Sequence, residues 1–222
     1  MVLIINRNFA LLYGIMLGDG CLSLVYGKKK YISLAGSMAD DIPFFEKIVN
    51  PAIKKLIDKD IPIKFRYNKN AIELNFVNHK LFDFIHKFDF PIGKKGDKLI
   101  IPKTFYEKNL VKYLIRGFFA TDGSLVLTDN NGTLYPRVEA TAISKSLLIE
   151  ITNFLNAVGI KCNFYKAKRR EENKNKGYSN RQEIYRLQIN GKNNLKRFVK
   201  TIGFVNPKQI EKLEGYHGCT KS

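Results

Sequence analysis

Two nine-residue stretches, 103 residues apart, follow one template. Leu12-Tyr13-Gly14-Ile15-Met16-Leu17-Gly18-Asp19-Gly20 and Ile115-Arg116-Gly117-Phe118-Phe119-Ala120-Thr121-Asp122-Gly123 are each an apolar run with glycine in third place and Asp-Gly at the end. On its own, Asp-Gly after an apolar run is a common helix stop or hairpin turn. Two copies constrain the fold far more. In a helix, spacing of i, i+4 puts Gly14 with Gly18, and Gly117 with Thr121, on a single small-residue stripe where two backbones can approach closely. If the copies pack on each other, Asp19 and Asp122 emerge side by side at the same end. That end carries the negative pole of both helices, so two carboxylates there call for a cation between them.

The remainder of the chain repeats as well. Each motif is followed by a predicted hairpin, Leu22–Tyr26 with Tyr31–Ala35 and Leu125–Thr128 with Arg137–Ile143. An amphipathic helix comes next, over Ile42–Ile57 and Lys145–Ala157, and then a second hairpin, Ile63–Tyr67 with Ile72–Val77 and Cys162–Ala167 with Ile184–Ile189. In the closing helix the match is residue by residue: Leu81, Phe84, Ile85, Phe90, Lys94 and Leu99 correspond to Leu195, Phe198, Val199, Phe204, Lys208 and Leu213 at a constant offset of 114. The expectation is an α+β chain of two αββαββα halves, residues 1–99 and 108–222, related by a pseudo-two-fold axis. The linker is placed over Gly93–Glu107, rich in Gly, Lys and Pro.

Both nine-residue segments resemble the motif of the LAGLIDADG homing endonucleases, in the single-chain form with two copies. The final Asp-Gly is present in each; the earlier Asp of the motif is Leu17 in one copy and Ala120 in the other. The resemblance implies a metal-dependent double-strand cut at a long, asymmetric DNA target, leaving 3′ hydroxyl ends. It places two four-stranded saddles in successive major grooves and the motif helices over the minor groove between them. Asp19 then serves one strand and Asp122 the other, each with the backbone carbonyl of the preceding residue, Gly18 or Thr121. Mg²⁺ is the expected ion, a hard cation that takes oxygen ligands and keeps waters, with Mn²⁺ able to substitute. The family often adds a basic residue beside each scissile phosphate, and Lys145 stands near that place in the second half. Lys145 reads equally well as a surface residue in a first helical turn capped by Ser144, and the matching Gly36-Ser37-Met38 has no lysine. The alternatives on the same scaffold are a maturase-like protein that binds its own intron RNA and an inactive DNA-binding regulator; both acidic residues are present, which favours cleavage.

Charge agrees with a polyphosphate partner. Lys and Arg number 38 against 20 Asp and Glu, a net charge of +18 in 222 residues, far beyond the magnitude of about 2–8 that suffices for solubility of a small domain. With no apolar run of about 18 residues and no signal-peptide pattern, an intracellular, non-membrane protein is expected. Cys21 and Cys162 read as core thiols and Cys219 as a tail residue. His79, His86 and His217 form no zinc spacing.

Strand alternation nominates a DNA-reading face. In the first half it comprises Ser23, Tyr31, Ser33, Lys64, Arg66, Glu73 and Asn75, with Lys28, Lys30 and Lys69 in basic hairpin turns. The second half supplies Thr128, Arg137, Glu139, Thr141, Asn163, Tyr165, Arg186 and Gln188, and a long basic arm adds Lys168, Arg170 and Arg181. A polar outer face is also what any half-buried antiparallel sheet shows. The turn lysines would grip phosphates and the strand residues would reach base edges.

Overall fold

The computed structural model describes residues 3–167 and 183–216. Lys168, Arg170, Arg181, His217 and Cys219 lie outside the described residues. Helix α1 (Arg7–Asp19) starts at Asn6, whose side chain accepts a hydrogen bond from Phe9 N at 2.9 Å, an N-cap that satisfies one of the helix's orphan donors. Strands β1 (Gly20–Val25) and β2 (Lys29–Ser37) follow as a hairpin. A helical segment over residues 42–57 comes next: α2 (Ile42–Phe44), a π-helical turn (Phe45–Val49) and α3 (Asn50–Ile57). An uninterrupted α-helix is expected there from the apolar spacing. Pro51 accounts for the difference, because it has no N–H for the carbonyl four residues back and its ring crowds that carbonyl, which a wider turn relieves.

Strands β3 (Lys64–Arg66) and β4 (Ala71–Val77) complete the first sheet in the order β1-β2-β4-β3, and α4 (His79–His86) lies beneath it. After α5 (Lys103–Glu107) the pattern repeats: α6 (Val111–Thr121), β5 (Gly123–Asn130), β6 (Thr133–Ala142), α7 (Lys145–Ala157), β7 (Asn163–Lys166), β8 (Tyr185–Asn190) and α8 (Lys192–Thr201). The second sheet runs β5-β6-β8-β7, so the topology is the same in both halves. The closing segments differ. The second half ends in α9 (Pro207–Glu214), whereas residues 87–102 of the first half are irregular.

Helices α1 and α6 cross at the centre, face to face on their glycines. A Cβ added to Gly14 would collide with the carbonyl oxygen of Leu114 and lie 2.9 Å from Phe118 N; one added to Gly117 would collide with the Leu11 carbonyl and lie 3.1 Å from the Cα of Gly14. Only the absence of side chains lets the backbones approach so closely. Around this seam the core is aromatic. Phe9 lies 4.7 Å from Phe84 and 6.0 Å from Phe105 between ring centroids, and Phe119 lies 5.0 Å from Phe198. Phe105, placed in the linker from sequence, is fully buried: the connection between halves is part of the core.

Candidate metal centre and nucleic-acid interface

The glycine seam delivers the two aspartates to one place. Asp19 is the last residue of α1 and Asp122 caps α6; a Cβ at Gly18 would stand 3.2 Å from Asp122 Oδ2 and strike the Thr121 hydroxyl. Asp19 stays accessible to solvent while Asp122 is half-buried. Crowding by protein atoms raises the Asp19 carboxyl above its ordinary value, with Asp41 adding to the rise and Lys95 and Lys208 opposing it. Asp122 is pushed up to about 7, first by loss of water and then by the charge of Asp19, against the pull of Lys95. A buried carboxyl raised further by the carboxylate beside it makes a site that gains from a cation.

Among the described residues no three His, Cys, Asp or Glu side chains gather as metal ligands. The donor set is two carboxylates and the carbonyls at two helix ends, all hard oxygens, which is the chemistry Mg²⁺ or Mn²⁺ takes. A stand-in cation is already present. The ammonium of Lys95 donates to the carbonyls of Met16 at 3.3 Å, Leu17 at 3.0 Å and Gly18, and its own affinity for a proton is lowered by burial and restored in part by Asp122 and Asp19. The residues fit a divalent ion.

Lys95 has no signal in the motif. It is brought in by the linker, which docks by a hydrogen bond from Gly93 N to Leu22 O at 2.7 Å and an isolated bridge between Leu22 and Ile92. Beyond Lys95 the linker is stitched to the second half, where Ser144 Oγ donates to Asp97 O at 3.1 Å and Leu99 O at 2.8 Å. Lys145 is directed elsewhere. It lies in the first turn of α7 after the Ser144 cap, with its ammonium 5.9 Å from the centroid of the Tyr185 ring. There it lines a cleft of about 740 Å³ with Asp97, Ser146, Glu183 and Tyr185, and it is not among the charges acting on either aspartate.

Strand register puts Ser23, Tyr31, Ser33, Lys64, Arg66, Glu73 and Asn75 together on the face of the first sheet away from the core. Thr128, Arg137, Glu139, Thr141, Asn163, Tyr165, Arg186 and Gln188 do the same on the second. Lys28 lies in the first hairpin turn and Lys69 in a 3₁₀ turn. Two expectations are corrected. Lys30, expected in the hairpin turn, lies within β2, where it pairs with Leu24 on the core-side face, alongside Ile32 and Leu34, because strand side chains alternate; its ammonium meets Asp83 of α4 and lies over the Phe82 ring at 5.7 Å. Cys21 is no core thiol: it opposes Ser33 on the outer face, half-buried, with Sγ 3.8 Å from Gly93 O. Cys162 is half-buried too, its thiol pushed up to about 11 by burial.

On both faces a glutamate organises its neighbours. Glu73 accepts from Arg66 Nη2 at 3.0 Å and from Asn75 Nδ2 at 3.1 Å; Glu139 accepts from Arg137 Nε at 2.9 Å and from Gln188 Nε2 at 3.0 Å. Among the described residues, buried Asn75 Oδ1 and Arg186 Nε have no hydrogen-bond partner.

The LAGLIDADG-like domain family model matches residues 109–203. The chain is 30% identical over 207 residues to a probable translation initiation factor IF-2 of Methanocaldococcus jannaschii, covering 90% of this chain and 15% of that protein. It is 32% identical over 157 residues to a replication factor C small subunit of the same organism, covering 70% of this chain and 8% of that protein. The chain therefore spans only a small part of these relatives. Among solved structures it is similar to I-DmoI in complex with DNA and Ca, at 18% identity and TM-score 0.61 over 95% of this chain and 98% of that one. The LAGLIDADG meganuclease I-AabMI bound to uncleaved DNA matches at 14% identity and TM-score 0.57 over 95% of this chain and 88% of that one. Residues 109–203 thus belong to the LAGLIDADG-like domain family, and the whole chain has the single-chain, two-motif fold of the LAGLIDADG homing endonucleases.

Proposed function

We propose that the chain is a site-specific DNA endonuclease that makes a divalent-metal-dependent double-strand cut at a long asymmetric target and leaves 3′ hydroxyl ends. The observation that carries this reading is the aspartate pair at the glycine seam, set between two sheets whose outer faces are polar and cationic. The two curated relatives differ in what their names describe, and the chain spans 15% of one and 8% of the other, so what is shared is this unit and neither translation nor replication. Structures of I-DmoI are described with DNA and Ca, with DNA and Mn, and, for one variant, with target DNA and Mg, which supports a divalent ion here.

In this reading each half, residues 1–99 and 108–222, takes one half-site in a major groove, and the linker between them crosses at the aspartates. Asp19 and Asp122 hold the metal with the carbonyls of Gly18 and Thr121. When bound, the ion supplies an activated water and offsets charge on the phosphate and the leaving oxygen. Lys95 places positive charge beside the same phosphates. Arg66, Arg137 and their glutamate-held neighbours read base edges, and turn lysines such as Lys28 and Lys69 clamp the backbone.

The test is selection of a binding site from a random duplex library in Ca²⁺, then incubation of a plasmid carrying that site with Mg²⁺ or with EDTA. Linearisation with Mg²⁺ alone is expected. Asp19→Asn and Asp122→Asn should each lose cleavage of one or both strands while binding stays within about threefold. Tight, selective binding without any cut in either metal, Mg²⁺ or Mn²⁺, would overturn the assignment.

A further inference from the structure

The two halves treat the ends of their motif helices differently. At the end of α1 the carbonyls of Met16, Leu17 and Gly18 are taken by one ammonium, that of Lys95. The residue of the second half at the offset of 114 from Lys95 is Gln209, and it does the corresponding work with a neutral amide. Gln209 Nε2 donates to Phe119 O at 2.7 Å and Gly123 O at 2.8 Å, and Phe119 stands to α6 as Met16 stands to α1. Asn206 adds a bond to Ala120 O at 2.8 Å. Both amides are almost fully buried, at 3% and 1% exposure. None of these three acceptors is Thr121. The Gly18 carbonyl carries a resident cation, and the amide clamp leaves the Thr121 carbonyl alone.

We infer that Lys95 is a built-in counter-ion of the aspartate pair which an incoming divalent cation must displace from the Gly18 carbonyl, so that the two halves load metal unequally, the second ahead of the first. The inference rests on the metal reading of this site given above. A divalent ion and an ammonium on the same carbonyl oxygen would lie close enough to repel strongly in a setting partly shielded from water. The same ammonium acts on Asp19 and Asp122 together, so its departure exposes the pair to the charge of the metal at the moment the metal arrives. The means of departure are built into the linker. Lys95 lies between Gly93 and Gly96, with φ of +83° and +60°, and among the described residues nothing lies within 4 Å of where a Cβ would stand on either. Glycines in the left-handed region with open space around them let the segment between the two docking points turn without a clash.

The experiment is direct Mn²⁺ binding to the full chain without DNA, followed by electron paramagnetic resonance and calorimetry at one fixed pH. Lys95→Gln copies the neutral clamp of the second half and keeps a donor for the α1 carbonyls; unchanged far-ultraviolet circular dichroism confirms that it is folded. Wild type should show two unequal sites. Lys95→Gln should tighten the weaker by tenfold or more and bring the two together, and Gln209→Lys should weaken the stronger by a similar factor. Where wild-type uptake is too weak to resolve, Lys95→Gln must still bring a site into range. Affinities in Lys95→Gln that are unchanged or weaker would overturn the inference. Asp19→Asn/Asp122→Asn is the control that separates the two readings: Mn²⁺ uptake equal to wild type removes the metal site itself, while loss there with no effect of Lys95→Gln removes only the displacement.

Discussion

Asp122 carries an electrostatic cost that folding imposes on it. Its carboxyl titrates near 7 instead of 3.8, because burial and Asp19 both disfavour its charge. An acid raised by folding is protonated in the folded chain and ionised in the unfolded one between those two values. Folding then takes up a proton, so this group's contribution is complete below about pH 4 and declines as pH rises to 7. Asp122→Asn removes that decline. In metal-free protein at pH 8 it should raise stability by on the order of 3 kcal/mol, and near pH 4 it should change little. Thermal unfolding across that range reads the difference; equal melting temperatures at pH 8 would contradict it. Millimolar Mg²⁺ should recover part of the deficit in wild type only, by binding the folded state.

Among the elements, the α1–α6 seam is the least tolerant of change. Gly117→Ala places a methyl group against the Leu11 carbonyl, backbone on backbone, and the helices must separate to admit it. A loss of about 2–4 kcal/mol is expected, read as a lower urea midpoint, and cleavage should fall with it as the aspartates part. This seam was legible in the sequence because its determinants are local: glycines at helical spacing, then Asp-Gly. The sheets were legible for a similar reason, since alternation in β2, β4, β6 and β8 assigns faces without knowledge of partners. Lys30 shows where that reading slips: the basic run Gly27-Lys28-Lys29-Lys30 reads as a turn, but β2 already begins at Lys29, and parity then puts Lys30 beneath the sheet. Lys95 and Gln209 were not legible at all. Their roles arise from where a linker and α9 dock, contacts of residues 77 and 90 positions apart, and the repeat pairs Lys94 with Lys208, one step away from the pair that matters. Lys208 instead reaches across to Asp41 of the first half at 2.8 Å.

For the whole molecule, the net charge of +18 makes binding a problem of counterion release. Affinity for duplex DNA should fall about 10³-fold or more between 50 and 200 mM salt. Replacing the exposed turn lysines Lys28 or Lys69 with Ala should weaken binding to all sequences alike and reduce the salt slope by about one each. Arg137→Ala, which removes a side chain held by Glu139, should cost about 1–3 kcal/mol and relax preference at one target position. Titrations at three salt concentrations against selected and scrambled duplexes separate these outcomes; a slope unaffected by either lysine would exclude them as phosphate contacts.

The stretch 92–101 is fastened at one end to β1 and at the other to α7, yet its ammonium serves the tip of α1. It behaves as a strap shared by two owners. Chimeras that exchange halves between relatives must therefore inherit it together with the first motif helix and also supply a serine at position 144 to donate to its far end. A junction at residue 102 respects the first demand; a junction at residue 91 would leave α1 with its terminal carbonyls uncapped.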